Sequence, residues 1–268
     1  RVAWGTYTIS GDLGKVTWPA CVALLTAWAG WRWATQGVGI LVLAAAIAIF
    51  FVLARLAPIP QEAAARDAAG RGGSGWGIRD TRGFSLLSAI HGIDNGSRTA
   101  FLTYLPFLLL GKGLGMDMMG LALGLTFAGG ATGKFVCGLL AERVGIIRTV
   151  ILTEAATGLG IFLLLALPVR GALLLLPVLG IALNGTSSVL YGTVAELVAP
   201  ERRARAYGLF YTIGIGSGAI APPIYGLLSD WAGVPVTLAV MAVVILVTVP
   251  LAQALRHALE RSPDAARR

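Results

Sequence analysis

The sequence predicts an all-α membrane protein with about eight transmembrane helices, and three observations carry that prediction. Only 13% of its 268 residues are charged while 56% are hydrophobic, whereas a soluble domain needs roughly 25% charged residues to cover its surface. The apolar residues gather in runs of about 20, the length that crosses a hydrocarbon core about 30 Å thick. The basic residues fall between those runs, and unevenly. A mean hydropathy of +0.79 suits a bilayer, where the outside of a helix bundle is as apolar as its interior.

Taken in order, the runs lie near residues 6–27, 36–56, 84–110, 117–140, 148–167, 171–195, 206–228 and 234–255. An even number puts both ends on one side, and the positive-inside rule chooses the side. One set of alternate connections holds Arg1, Arg55, Arg66, Arg71, Arg79, Arg82, Arg143, Arg148, Arg202, Arg203, Arg205, Arg256, Arg261, Arg267 and Arg268; the other holds Arg32, Lys112 and Arg170. Fifteen against three places both ends, and the long loop at 57–83, in the cytoplasm of a cell bounded by an inner (plasma) membrane. That loop contains Pro58, Pro60 and the stretch Gly70, Arg71, Gly72, Gly73, Ser74, Gly75, the composition of a flexible linker between two bundles. The expected organisation is 1–56, linker 57–83, bundle 84–255 and cytoplasmic tail 256–268. The chain opens on Arg1 with no initiator Met and no signal-peptide pattern, which suggests a truncated N-terminus.

A formal net charge of +8 would direct a soluble chain towards nucleic acid only with a basic patch in a motif context; here the charges flank apolar runs, and no nucleic-acid partner is expected. Cys21 and Cys137 each fall inside a run and are expected to pack there. His91 and His257 assemble no nucleophile, metal or phosphate constellation. An enzyme, a metal and a cofactor are therefore not expected.

An internal repeat links the first run to the seventh. Ala3, Gly5, Gly11, Pro19, Leu24, Leu25, Trp28, Ala29 and Gly30 recur at an offset of 203 as Ala206, Gly208, Gly214, Pro222, Leu227, Leu228, Trp231, Ala232 and Gly233. Roughly two or three chance identities are expected over such a window at ordinary residue frequencies. Both runs start on the same side, so the duplication is parallel, with six helices to the repeat. The pairs Gly120 with Gly124 and Gly214 with Gly218 are small-residue spacings that let helices approach closely.

With this repeat the chain resembles the major facilitator superfamily, whose members have two six-helix halves joined by a long cytoplasmic loop. The resemblance implies a partial two-bundle architecture: the last two helices of the first half and the complete second half, with the remaining N-terminal helices of the same protein as a missing partner. Gly138, Leu140, Ala141, Glu142, Arg143, Gly145 and Arg148 resemble the family's loop signature between the second and third helices of a half, with Glu where Asp is usual. An acid followed by bases at a helix end can latch one conformation, or simply form a polar turn. Pro200, Glu201, Arg202, Arg203, Ala204 and Arg205 resemble the basic loop further on. Gly5, Gly14, Trp18, Pro19 and Leu25 resemble a fifth-helix motif of antiporters, with Trp18, Val22 and Ala23 standing where the family has Gly.

Ionisable residues inside a span are costly and therefore functional candidates. Asp94 lies ten residues into its run, about 15 Å deep at 1.5 Å per residue. His91, Asn95 and Arg98 follow nearly the same face, and Asp94 is one turn from Arg98, close enough to pair. These four are expected to line a central cavity, binding substrate or exchanging a proton, or else to form an internally satisfied packing pair. Asp12 and Lys15 form a second pair that serves either as a salt bridge or as a coupling site. Glu154 is a further proton-coupling candidate, and Lys134 is expected to snorkel to the headgroups. Asn184, Ser187, Ser188 and Tyr191 make a polar stripe; Tyr207 and Tyr211 lie four apart, with Tyr104 and Trp18 adding aromatic surface. An apolar, aromatic cavity with few polar anchors suits amphipathic organic molecules. The expected function is transport by alternating access in a lipid bilayer, as proton-coupled efflux of such small molecules. The alternative is import of a small organic acid held by Arg98.

Overall fold

The computed structural model describes residues 28–56 and 76–260, with Gly14, Trp18, Cys21, Val22 and 24–26 ahead of them. Gly5, Asp12, Lys15 and Pro19, and with them most of the first expected run, lie outside the described residues. The described residues form eight α-helices and two short 3-10 turns. The chain divides into two compact units, 20–75 and the remainder.

The smaller unit carries α1, Trp31–Leu56, an apolar 26-residue helix long enough to cross a membrane and exposing nearly every side chain. Its start shows the repeat in backbone form. Gly30 has φ +81 and Gly233 has φ +83, a conformation that favours glycine. The Gly30 N–H donates to Thr26 O at 3.0 Å and the Gly233 N–H to Ser229 O at 2.8 Å, while Ala34 and Thr237 each donate back to the turn glycine. Trp28 and Trp231, two residues ahead of the turns, are 87% and 86% exposed. Cys21 in this unit is exposed rather than packed, whereas Cys137 in the larger unit is buried.

The larger unit holds α2 (Thr81–Gly111), α3 (Met119–Val144), α4 (Ile146–Ala166), α5 (Val169–Leu197), α6 (Arg203–Ala232), α7 (Val234–Leu246) and α8 (Thr248–Glu260). Five described stretches are apolar and long enough to span a membrane: Trp31–Val52, Met116–Val144, Ile146–Ala166, Val169–Leu197 and Val234–Arg256. At 31 and 30 residues, α2 and α6 are also long enough, about 45 Å at 1.5 Å per residue. The run expected at 234–255 is two helices broken at Val247. Pro250 is the cause: it lacks an N–H and its ring clashes with the carbonyl four residues back, so the helix restarts with the proline in its first turn.

Two apolar clusters stack along the unit. One gathers Phe101, Leu105, Leu109, Leu164, Leu176 and Met241; the other gathers Phe84, Leu87, Ile90, Val194, Leu197 and Phe210. The tightest seam joins α3 to α5. A Cβ at Gly129 would lie 1.9 Å from Pro177 O, at Gly133 2.4 Å from Ile181 O, and at Gly180 2.1 Å from Thr126 O, so the backbones touch where only hydrogen fits. The expected seam at Gly214 and Gly218 packs against His91, Asn95 and Thr99 of α2, but a Cβ on Gly124 meets nothing within 4 Å.

Two clips tie helix ends together. Lys112 Nζ donates to Leu165 O at 2.8 Å and Leu167 O at 2.7 Å, a cation on the free carbonyls of a helix C-terminus. At the opposite end Ile78 bridges Val198, Arg79 N–H donates to Leu197 O and Ala199 N–H to Gly77 O, so the expected loop at 57–83 ends earlier, in a strap on the α5–α6 connection. Replacing Lys112 by Met keeps the stem and removes the donors. We expect it to cost about 1.5–3 kcal/mol, the range for hydrogen bonds to charged groups, read as a lowered Tm of the detergent-solubilised protein.

Candidate functional site

Between the two apolar clusters, three long helices of the larger unit carry buried polar side chains near their middles. On α2 the buried residues between Ile90 and Ala100 include His91, Asp94 and Ser97; on α4, Thr153, Glu154 and Thr157 lie between Val150 and Ile161; on α5, Thr186 and Ser187 lie between Leu183 and Val189. Thr248, fully buried, opens α8 at the break. A polar layer thus crosses the bundle halfway along its helices.

The centre of that layer is a carboxyl pair. Asp94 and Glu154 are 5% and 2% exposed and face each other within hydrogen-bonding reach. Thr248 Oγ1 donates to Glu154 Oε2 at 3.1 Å. Thr186 Oγ1 donates to Thr153 Oγ1 at 2.8 Å and also lies within reach of Glu154. Four helices therefore meet on two carboxyls. Asp94 Oδ2 has no hydrogen-bond partner, and neither do Ser88 Oγ or the two ring nitrogens of His91.

Beside the pair lies an aromatic group. The His91 ring stacks on Phe210 at 4.2 Å and 12°, and meets Tyr191 edge-on at 5.2 Å. Tyr191 stacks on Tyr211 at 4.6 Å, and Tyr207 Oη donates to Tyr191 O at 2.8 Å. Gly214 makes this possible, since a Cβ there would lie 2.2 Å from His91 Nε2.

Arg98 turns the other way. Its guanidinium donates to Asn95 Oδ1, and Asn95 Nδ2 donates to Gly214 O. The side chain borders a cleft of about 390 Å³ with Thr99, Leu102, Thr103, Phe127 and Asn184. The Arg98 hydrogen bond thus goes to Asn95 on the same helix, while its charge still acts on Asp94. One turn of helix brings two side chains near each other, but the interior offers Asp94 a carboxyl on α4 and offers Arg98 an open cleft. Of the expected cavity residues, Arg98 and Asn184 border this cleft; His91 and Asp94 are inside the bundle.

The expected latch residues sit around the α3–α4 turn. Gly145 makes the turn at φ +92, and Glu142, Arg143 and Arg148 are exposed. Gly138 and Glu142 line a groove of about 330 Å³ with Lys134, Ser188 and Gly192, so Lys134 lies in a groove between α3 and α5. Gly138 is not a close-approach glycine, because its Cβ position is open. Of the antiporter-like residues, Gly14 is described, likewise with nothing near its Cβ position.

A family profile described as the Major Facilitator Superfamily matches residues 84–268. The chain belongs to the major facilitator superfamily. A curated relative, the gentisate transporter of Corynebacterium glutamicum, is 29% identical over 133 residues, which is 48% of this chain and 29% of that protein. The chain is thus a multi-pass membrane protein of a transporter superfamily, all-α as its sequence predicts. Within the superfamily fold, the polar layer adds residues that sequence reasoning missed. Thr153, Thr186 and Thr248 gave no signal of their own, since a threonine in a membrane helix commonly bonds its own preceding turn. Comparing the runs for polar residues at equal depth would have found them.

Proposed function

We propose that this chain is part of a proton-coupled transporter that takes up a small aromatic acid by alternating access, with both ends of the chain on the cytoplasmic side. The observation that carries this reading is the Arg98 guanidinium at the mouth of a cleft that also holds Phe127, Asn184, Thr99 and Thr103. A planar guanidinium presents parallel donors that match a carboxylate. Phe127 and Leu102 offer an apolar wall to a ring, and the hydroxyls and the amide offer polar anchors. A volume of about 390 Å³ lies in the range of small-molecule sites. The relative's substrate by name, gentisate, is a dihydroxybenzoate anion and fits that description. The buried carboxyls of the polar layer supply a group that can carry the coupling proton. Export of amphipathic molecules drew on Gly5, Gly14 and Pro19, of which only Gly14 lies among the described residues, and a cation-headed cleft favours an anion.

The test uses the complete protein in proteoliposomes, with radiolabelled gentisate and its neutral methyl ester. Acid outside should drive accumulation of gentisate and leave the ester at equilibrium. Equal handling of acid and ester, or accumulation indifferent to the pH gradient, would overturn the reading.

A further inference from the structure

The two clefts bordered by α3 and α5 are successive stretches of one trough. On α3, Phe127 lines the first and Lys134 the second. The seven residues between them make two turns, so both stand on nearly the same face, about 10.5 Å apart along the axis. On α5, Asn184 lines the first while Ser188 and Gly192 line the second, at four-residue steps along one face. The second cleft lies nearer the α3 end at Val144, which the proposed orientation puts in the cytoplasm.

Its lining suits a particular guest. Lys134 stands about 15 Å from the end of α3, and a cation at that depth is costly and marks a pathway. Ser188 Oγ donates to Gly185 O at 2.8 Å, so its hydrogen is committed and its lone pairs are left to accept. Ile146 and Val189 supply apolar walls. Gly138 and Gly192 face the space from the two helices, and a Cβ on either meets nothing within 4 Å. In the seam of the same helices, by contrast, Cβ atoms at Gly129 and Gly133 would fall 1.9 and 2.4 Å from backbone oxygen. Gly138 and Gly192 therefore serve no packing, and the volume of about 330 Å³ exists because neither carries a side chain. Glu142, the acid of the lining, is exposed two turns beyond Lys134. It opposes a bound anion, and lysine offers a carboxylate a point charge instead of a fork. Both make the second cleft hold an acid less firmly than Arg98 does, as a release step requires.

We propose that this cleft is a second, weaker binding station for a hydroxylated aromatic acid. Lys134 holds the carboxylate, the ring lies over Gly138 and Gly192, and Ser188 accepts a hydrogen bond from a ring hydroxyl. The acid passes from Arg98 to Lys134 along the trough on its way to the cytoplasm. The inference rests on the uptake reading above and adds a site to it.

Site-directed labelling of the purified, complete protein tests this. Gly192→Cys places a thiol on an open Cβ position, and its alkylation by a maleimide is followed by peptide mass. Gentisate at about ten times its dissociation constant should slow the labelling about tenfold, since only the empty fraction reacts. The neutral methyl ester should give no protection. Protection should survive Arg98→Gln and be lost in Lys134→Gln, which leaves calorimetric binding at the Arg98 cleft unchanged. Gly138→Val should also abolish it, by filling the cleft from a position with room for the side chain; elution and Tm check that each variant is folded. No protection in the Gly192→Cys protein, or protection lost with Arg98→Gln and kept with Lys134→Gln, would overturn the station. Protection that follows Lys134 in a protein without pH-driven gentisate uptake would uphold the station and sink the transport reading instead.

Discussion

Gly129→Val should yield no monodisperse protein, while Gly138→Val, nine residues further along the same helix, should be as stable as the native chain. At Gly129 even the first added carbon would lie 1.9 Å from the Pro177 carbonyl oxygen, where ordinary contact begins at 3.4 Å. The two helices must therefore part by about 1.5 Å, and the atom met is backbone, which cannot rotate away. Overpacking a core costs typically 1–3 kcal/mol, occasionally more, and this clash lies at the upper end because Gly133, Gly180 and Gly185 in the same seam would lose their contacts together. The damage extends to the cleft, since Gly130 packs on Asn184 and Phe127 is one turn away. Size-exclusion profiles and Tm in detergent read the result. Equal stability of the two variants would show that the α3–α5 seam is not held by backbone contact.

Arg98→Gln should weaken binding of an aromatic acid by about 100-fold, and Arg98→Lys by about tenfold. Removing one partner of a hydrogen-bonded charge pair costs about 2–5 kcal/mol, and each 1.4 kcal/mol is a factor of ten. Lysine keeps the charge but presents a point instead of a fork, so it recovers part of the loss. Asn95 complicates the comparison in a useful way. It receives the guanidinium and reaches Gly214 on α6, so Asn95→Ala should leave the charge in place yet loosen its aim. Titration calorimetry with the acid and with its methyl ester separates the two effects: the ester should be nearly blind to both Arg98 substitutions. A glutamine variant that binds the acid like the native protein would remove Arg98 from recognition.

The helices were legible because each needs about 20 apolar residues to cross the bilayer, and the second to seventh expected spans begin and end within about five residues of the described helices. The break at Val247 was not legible: Pro250 stands inside an apolar run, but so do Pro106, Pro177, Pro222 and Pro223, which α2, α5 and α6 contain without a break. The site was legible by residue type: His91, Asp94, Asn95 and Arg98 are polar where the membrane is least forgiving. Their partners were not. Asp94 chooses Glu154, sixty residues on in sequence and on another helix, and local spacing carries no information about such a meeting. Seams were half legible, for Gly214 and Gly218 pack as spaced, whereas the spacing of Gly120 and Gly124 is not used at Gly124. Gly129 and Gly133 had the same spacing and do the closest packing.

The connections have a consequence for synthesis. Gly145 alone joins α3 to α4, Gly233 alone joins α6 to α7, and Leu167 with Pro168 joins α4 to α5. A single residue cannot span the width of a translocation channel. The two helices of each such pair are therefore expected to enter the bilayer together, as hairpins. A helix too polar to partition by itself, such as α6 with its tyrosines and glycines, is thereby carried in by the very apolar α7 that follows it. The order of biogenesis is thus written into the turns.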